Sequence, residues 1–259
     1  MTSMKETYFH QQTLPLENSL PRWPHATQPP ETEFKMALLL LLVTLTTCAA
    51  TPQNLESKML TFPEATNTAH TKLLTTKQDL SAVTVCLRSF TDLRRGHPIF
   101  SLATSLASND FLIFKLDASD LFDLWVRDKN AEFALQDYKL NTWNAICSTW
   151  DATSGIIQLW VNGKPSSRKF VSSGFNISEP MSIVLGQEQD SYGGEFDINQ
   201  SFIGMISDVH MWDYTMSSCE IQNYSDELSF TLGNVLNWNA LDFQITGRVL
   251  IEDKRYHYC

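Results

Sequence analysis

No run of Lys and Arg in this sequence exceeds two residues, as at Arg94-Arg95, and the chain carries only 19 such cations against 29 Asp and Glu. A formal net charge of -10 and a pI near 5.0 remove nucleic acid from the expected partners, because phosphate binding needs a basic footprint. Long apolar runs are also missing. The longest, within residues 36–50, has an apolar core of about nine residues, roughly half of what a membrane span needs. No transmembrane anchor is expected. Catalytic signatures are equally scarce. His97, His210 and His257 stand apart from any Ser or Cys nucleophile motif, Gly193-Gly194 and Gly204 make no phosphate loop, and EF-hand spacing is absent. Neither an internal repeat nor a low-complexity segment appears.

What is present suits a globular chain with a sizeable core: 259 residues, 43% hydrophobic and 19% charged. Residues 36–50 follow Lys35 and end in small residues, as a secretory signal does. The preceding 35 residues are polar and contain Pro15, Pro21, Pro24, Pro29 and Pro30. Met36 is therefore the expected initiator, with residues 1–35 an upstream extension and a mature chain, 51–259, beginning near Thr51. Loss of the signal removes Cys48 and leaves Cys86, Cys147, Cys219 and Cys259, an even number that fits an oxidising, extracellular compartment and allows three pairings. Sequons at Asn176, Asn199 and Asn223 agree with a secreted glycoprotein, although a glycan at Asn199, inside an acidic loop, would obstruct an ion and is not expected.

Short runs rich in β-branched and aromatic residues recur between turn residues: Ala82–Leu87, Phe111–Phe114, Trp143–Trp150, Ile156–Val161 and Met181–Leu185. The pair Asn162-Gly163 signals a hairpin. The pattern predicts an all-β antiparallel sandwich or jelly roll. One helix interrupts it. Ser217-Ser-Cys-Glu220 is a capping-box pattern that predicts a helix to about Leu228, with Cys219 in its first turn.

The densest chemistry lies between Leu185 and Gly204, where Glu188, Asp190, Glu195 and Asp197 alternate with amides and glycines. Carboxylates this close either rise in pKa or share a cation. Glu188, Gln189, Asp190, Asp197 and Gln200 offer oxygen donors with no His or Cys nearby, so a hard ion, calcium, is the expected metal. Glu188 and Asp190, two apart, point the same way on an extended segment. Jelly-roll glycoside hydrolases also use an E-x-D pair, but their next acid is replaced here by Tyr192 and Gly193, which argues against an enzyme.

Gly186-Gln-Glu-Gln-Asp-Ser-Tyr-Gly-Gly194, Gln200-Ser-Phe-Ile-Gly204 and Met211-Trp-Asp213 resemble the pentraxins, and the likeness runs for about 200 residues, from Leu60-Thr-Phe-Pro63 to Asn234-Val-Leu-Asn-Trp-Asn-Ala-Leu241. The resemblance implies a jelly roll of the legume-lectin (concanavalin-like) type, a homo-pentamer, two calcium ions per subunit and a Cys86–Cys147 disulfide. It implies calcium ligands at Asn109, Glu188, Gln189 through its carbonyl, Asp190, Asp197 and Gln200, and a ligand pocket with Phe114 and Trp125. Phosphocholine or phosphoethanolamine, carboxylated groups and polysaccharides on microbial or damaged cells are the implied ligands in innate immunity, with complement or Fc-receptor contact by analogy. The family has Asp where this chain has Ser108, so the first ion is expected to bind more weakly unless Asp110 turns inward. An extracellular adhesive module using calcium for stability is the alternative.

Overall fold

A computed structural model describes residues 51–117, 121–134 and 137–254. The expected extension, signal segment and Cys259 lie outside these residues. Fifteen strands are described: β1 (Lys58–Phe62), β2 (His70–Leu74), β3 (Ala82–Phe90), β4 (His97–Thr104), β5 (Ala107–Lys115), β6 (Leu121–Val126), β7 (Lys129–Ala134), β8 (Asn144–Asp151), β9 (Ile156–Val161), β10 (Lys164–Pro165), β11 (Lys169–Phe170), β12 (Ser182–Leu185), β13 (Gly204–Trp212), β14 (Asp242–Thr246) and β15 (Leu250–Asp253). They form two antiparallel sheets. One runs β10-β9-β8-β3-β13-β1-β15, with β11 also on β9; the other runs β14-β2-β12-β4-β5-β6-β7. This is an all-β jelly-roll sandwich with one α-helix among the described residues, and the elements expected from the sequence fall where alternation placed them. At the Asn162-Gly163 hairpin both residues take positive φ, 52° and 76°, as a two-residue loop matched to strand twist requires.

The core lies between the sheets. Phe111 and Ile113 of β5, Phe122 and Leu124 of β6, Trp150 of β8 and Ile206 of β13 all belong to it and are fully buried. Because side chains alternate across a strand, the partners of these residues, Leu112 and Phe114 on β5 and Asp123 and Trp125 on β6, stand on the outer face of the second sheet. The β5–β6 register pairs Leu112 with Trp125 and Phe114 with Asp123, so the four make one block there.

The outer face of the first sheet carries the helix, α1 (Ser218–Ser225). Its capping box is formed: Ser217 Oγ accepts from the Glu220 amide, and Glu220 Oε2 accepts from the Ser217 amide. The helix stops sooner than the predicted Leu228. Glu227 takes φ +58°, the Glu227 and Leu228 amides return to Tyr224 O and Asn223 O, and this closing turn uses Glu where Gly would have signalled it. Ile221 and Tyr224 bury themselves on Trp160, Trp212 and the disulfide of Cys86 and Cys147. That disulfide joins directly paired residues of β3 and β8, 61 apart in sequence. Closing such a loop contributes about 4 kcal/mol in the chain-entropy account. Cys219 is an exposed free thiol on α1.

Candidate metal centre

The segment after β12 is bent back by glycine. Gly186 has φ +94°, and a Cβ there would collide with the Phe62 ring, so only glycine turns the chain out of the sheet here. Gln187 and Gln189 then act as internal struts. Gln187 Nε2 donates to Thr66 O and Ala69 O, while Gln189 Nε2 donates to Ser101 O, Ser101 Oγ and Ser182 O, and its Oε1 accepts from the Gly193 amide. The amide of Phe202 closes the loop on Gly186 O at 2.9 Å. Held this way, Glu188 and Asp190 emerge on the side opposite the struts and line one open pocket.

That pocket, about 250 Å³, is lined by Asn109, Leu112, Phe114, Asp123, Trp125, Glu188, Asp190 and Gln200. Five of the sequence-predicted positions therefore converge with Phe114: both acids of the E-x-D pair, Asn109, Gln200 and Trp125. Asp197 does not line the pocket, yet its charge acts on Glu188; the Asp197 carboxylate is steadied by the Asn199 amide at 2.9 Å. Glu195 is exposed and does not line the pocket. The Gln189 side chain is fully buried in its strut role, which leaves only its backbone carbonyl as a donor.

The electrostatics of this pocket are unbalanced. Glu188 is 5% exposed and has no hydrogen bond or ion pair among the described residues. Burial first, then the Asp190 and Asp197 charges, push its carboxyl up to about 7. The amide oxygens Asn109 Oδ1 and Gln200 Oε1 are buried without a partner. Buried acceptors are nearly always matched, so a set of unmatched oxygens facing one pocket fits a cation that they would all accept. Among the described residues no three His, Cys, Asp or Glu side chains by themselves converge tightly enough to hold an ion, so amide and carbonyl oxygens have to share the task.

Asp123 also lines this pocket, a position that the sequence did not single out. It is 8% exposed, it accepts from Asn130 Nδ2 at 3.1 Å, and burial, with Glu132 nearby, raises its carboxyl above the usual range. The only signal in the sequence was its place opposite Phe114, which needs the strand register. Asp110, which could have made up for Ser108 only by turning toward the ion, faces away from it. It is fully buried, accepting from Arg127 Nε at 2.8 Å and Thr104 Oγ1 at 2.7 Å, because the next residue along β5 from Asn109 must face the other way.

A model of the Pentaxin family matches residues 58–253. The chain belongs to the pentaxin family. Among curated relatives, this pentraxin is 38% identical to Jeltraxin of Lepidobatrachus laevis over 193 residues, covering 73% of this chain and 84% of that one. Serum amyloid P-component of Cavia porcellus is 36% identical over 202 residues, covering 78% and 89%, and C-reactive protein of Sus scrofa 35% over 219 residues, covering 84% and 97%. A native heptameric SAP-like pentraxin from Limulus polyphemus superposes with a TM-score of 0.73 at 26% identity, covering 80% of this chain and 99% of that structure. Membership places the protein with innate recognition proteins and, by family, apart from enzymes. No helix among the described residues is long and apolar enough to cross a membrane.

Proposed function

We propose that this pentraxin is a secreted, calcium-dependent recognition protein that captures ligands joining an anionic group to an amine or apolar end, on microbial or damaged-cell surfaces. The observation that carries the reading is the single pocket in which the Glu188 carboxylate and the unpartnered amide oxygens of Asn109 and Gln200 adjoin Phe114, Trp125 and Asp123. Asn109, Glu188, Asp190, Asp197, Gln200 and the Gln189 carbonyl would hold two calcium ions. The bound metal supplies open coordination positions for a phosphate or carboxylate oxygen.

The rest of the pocket selects what is attached to that anion. Phe114 and Trp125 are half-buried and present ring surface to a cationic or apolar group. Asp123 opposes a positive charge, and its bond from Asn130 holds the carboxylate in place. Phosphoethanolamine and phosphocholine combine both requirements. Polysaccharides with carboxylated or phosphorylated groups satisfy the first.

Ring assembly completes the reading. The Limulus relative is heptameric, and we expect a closed ring, a pentamer, for this chain. Several weak sites on one face gain two to four orders of magnitude on a repetitive surface. Residues 36–50 act as a signal, residues 1–35 are absent from the mature protein, and complement or Fc-receptor contact belongs to the same reading.

The test passes the purified protein over phosphoethanolamine and phosphocholine resins with calcium and elutes with chelator, beside Glu188→Gln with Asp190→Asn. Retention that the double variant loses supports recognition. A calcium-raised melting temperature without retention on either resin, or on an anionic polysaccharide, supports instead a module that uses calcium only for stability.

A further inference from the structure

Resting on the calcium reading above, we propose that Asp128 supplies the carboxylate that position 108 lacks, so that the first calcium ion is held in full. Ser108 and Asn109 lie at the start of β5, and the turn Arg127-Asp128 between β6 and β7 folds over them. The contact is reciprocal. The Asn109 amide donates to Asp128 Oδ1 at 2.9 Å, and the Asp128 amide donates to Asn109 O at 3.1 Å. Ser108 Oγ lies 3.5 Å from the same Oδ1, so a carboxylate oxygen stands within about one water diameter of the point where a longer acid at 108 would reach. Asp128 Oδ2 makes no hydrogen bond or ion pair among the described residues.

Asp128 is exposed and does not itself line the pocket, but two observations beside it point to a ligand. Asn109 Oδ1, on the adjoining residue, is buried and unpartnered. Glu188, more than nine-tenths buried and unpartnered among the described residues, lines the same pocket as Asn109.

The turn is fastened for this purpose. Arg127 and Asp128 take φ of 51° and 55°, a left-handed pair that arginine adopts reluctantly. Arg127 is tied down by Asp110 Oδ1 at 2.8 Å and by Asn176 O at 3.2 Å, and its guanidinium lies 4.1 Å from the centre of the Phe175 ring. Asp110 thus serves the ion indirectly: it positions Arg127, and Arg127 positions Asp128.

Calcium titration by calorimetry on the purified full chain, with the metal alone as probe, decides the matter. The parent is expected to bind two ions per subunit. Asp128→Asn keeps an amide oxygen for the Asn109 amide and loses only the charge, so one ion should weaken by at least about tenfold while the other is retained. Ser108→Asp added to Asp128→Asn should restore it, with melting in chelator unchanged across the set. Two ions of parental affinity in Asp128→Asn, a parent that binds one ion insensitive to Asp128→Asn, or a loss that Ser108→Asp leaves uncorrected would each overturn the proposal. A parent that binds no calcium removes the calcium reading itself, and Glu188→Gln marks that boundary because it should weaken both ions.

Discussion

The two outer faces of this sandwich treat buried charge in opposite ways. Beneath α1, Arg88 is 7% exposed, and its Nη2 donates to the terminal helix carbonyls of Tyr224 and Ser225 at 2.7 and 3.1 Å. Asp208 and Glu227 lie 3.7 and 3.5 Å from Arg88 Nε, and Lys254 Nζ donates to Asp208 at 2.8 Å. A bulge at Asp208, φ +54°, lets its carbonyl accept from the Tyr224 hydroxyl at 2.8 Å. The charged groups there are matched within the protein. On the opposite face Asn109 Oδ1 and Gln200 Oε1 are buried and unmatched, and Glu188, 5% exposed, has no cation beside it. Matched buried charge locks a helix onto a sheet, whereas unmatched buried acceptors are stabilised only by something from outside.

The contrast is broken most severely at Arg88. Arg88→Ala strands two helix carbonyls and leaves Asp208 and Glu227 to share Lys254 alone, and should cost about 3 kcal/mol or more in denaturant unfolding, with calcium response intact. Acid should protonate a buried histidine behind each face. His97 lies under the loop beside Phe202, and His210 lies under α1 against Trp212, Tyr224 and Phe230; burial lowers each to about 4. The unfolded chain takes up these protons near pH 6.5 and the folded chain near 4. Stability should therefore fall between those values, by about 1–3 kcal/mol per histidine, and change no further from this source below them. Unfolding midpoints of His97→Gln and His210→Gln at pH 7 and pH 4.5 should show a smaller drop than the parent.

Removing charge from the other face has the opposite sign to Arg88→Ala. Glu188→Gln relieves a desolvated carboxylate and should stabilise the chelator-treated protein at pH 8 by about 2 kcal/mol, while abolishing the melting increase that calcium gives the parent. A loss of stability without calcium would show that Glu188 has a structural partner. Ser217→Ala removes one half of the capping box and should cost about 1 kcal/mol, seen as faster amide exchange at the start of α1 with ligand capture unchanged.

Parts of this arrangement were legible in the chain because they are local. The E-x-D segment, its amide neighbours and the glycine at 186 announce an oxygen-rich site, and Ser217 with Glu220 announces a helix start. The helix end was not, since Glu227 holds a left-handed conformation that its identity does not advertise. The direction of Asp110 was not legible for a related reason. Its type suits calcium, but its parity on β5 turns it to the core, where Arg127 and Thr104 take its charge.

The sequence by itself determined the strand periodicity, the acidic calcium-type loop and the family likeness, because each depends on residue types at short spacing. Tertiary structure alone decided that Asp123 joins Phe114, that Trp125 joins Leu112, and that Asp128 reaches Ser108 from 20 residues away. A side chain's face follows from its strand period, but its neighbours follow from register. Register is settled only when two sheets close over Phe111, Phe122 and the rest of the shared core.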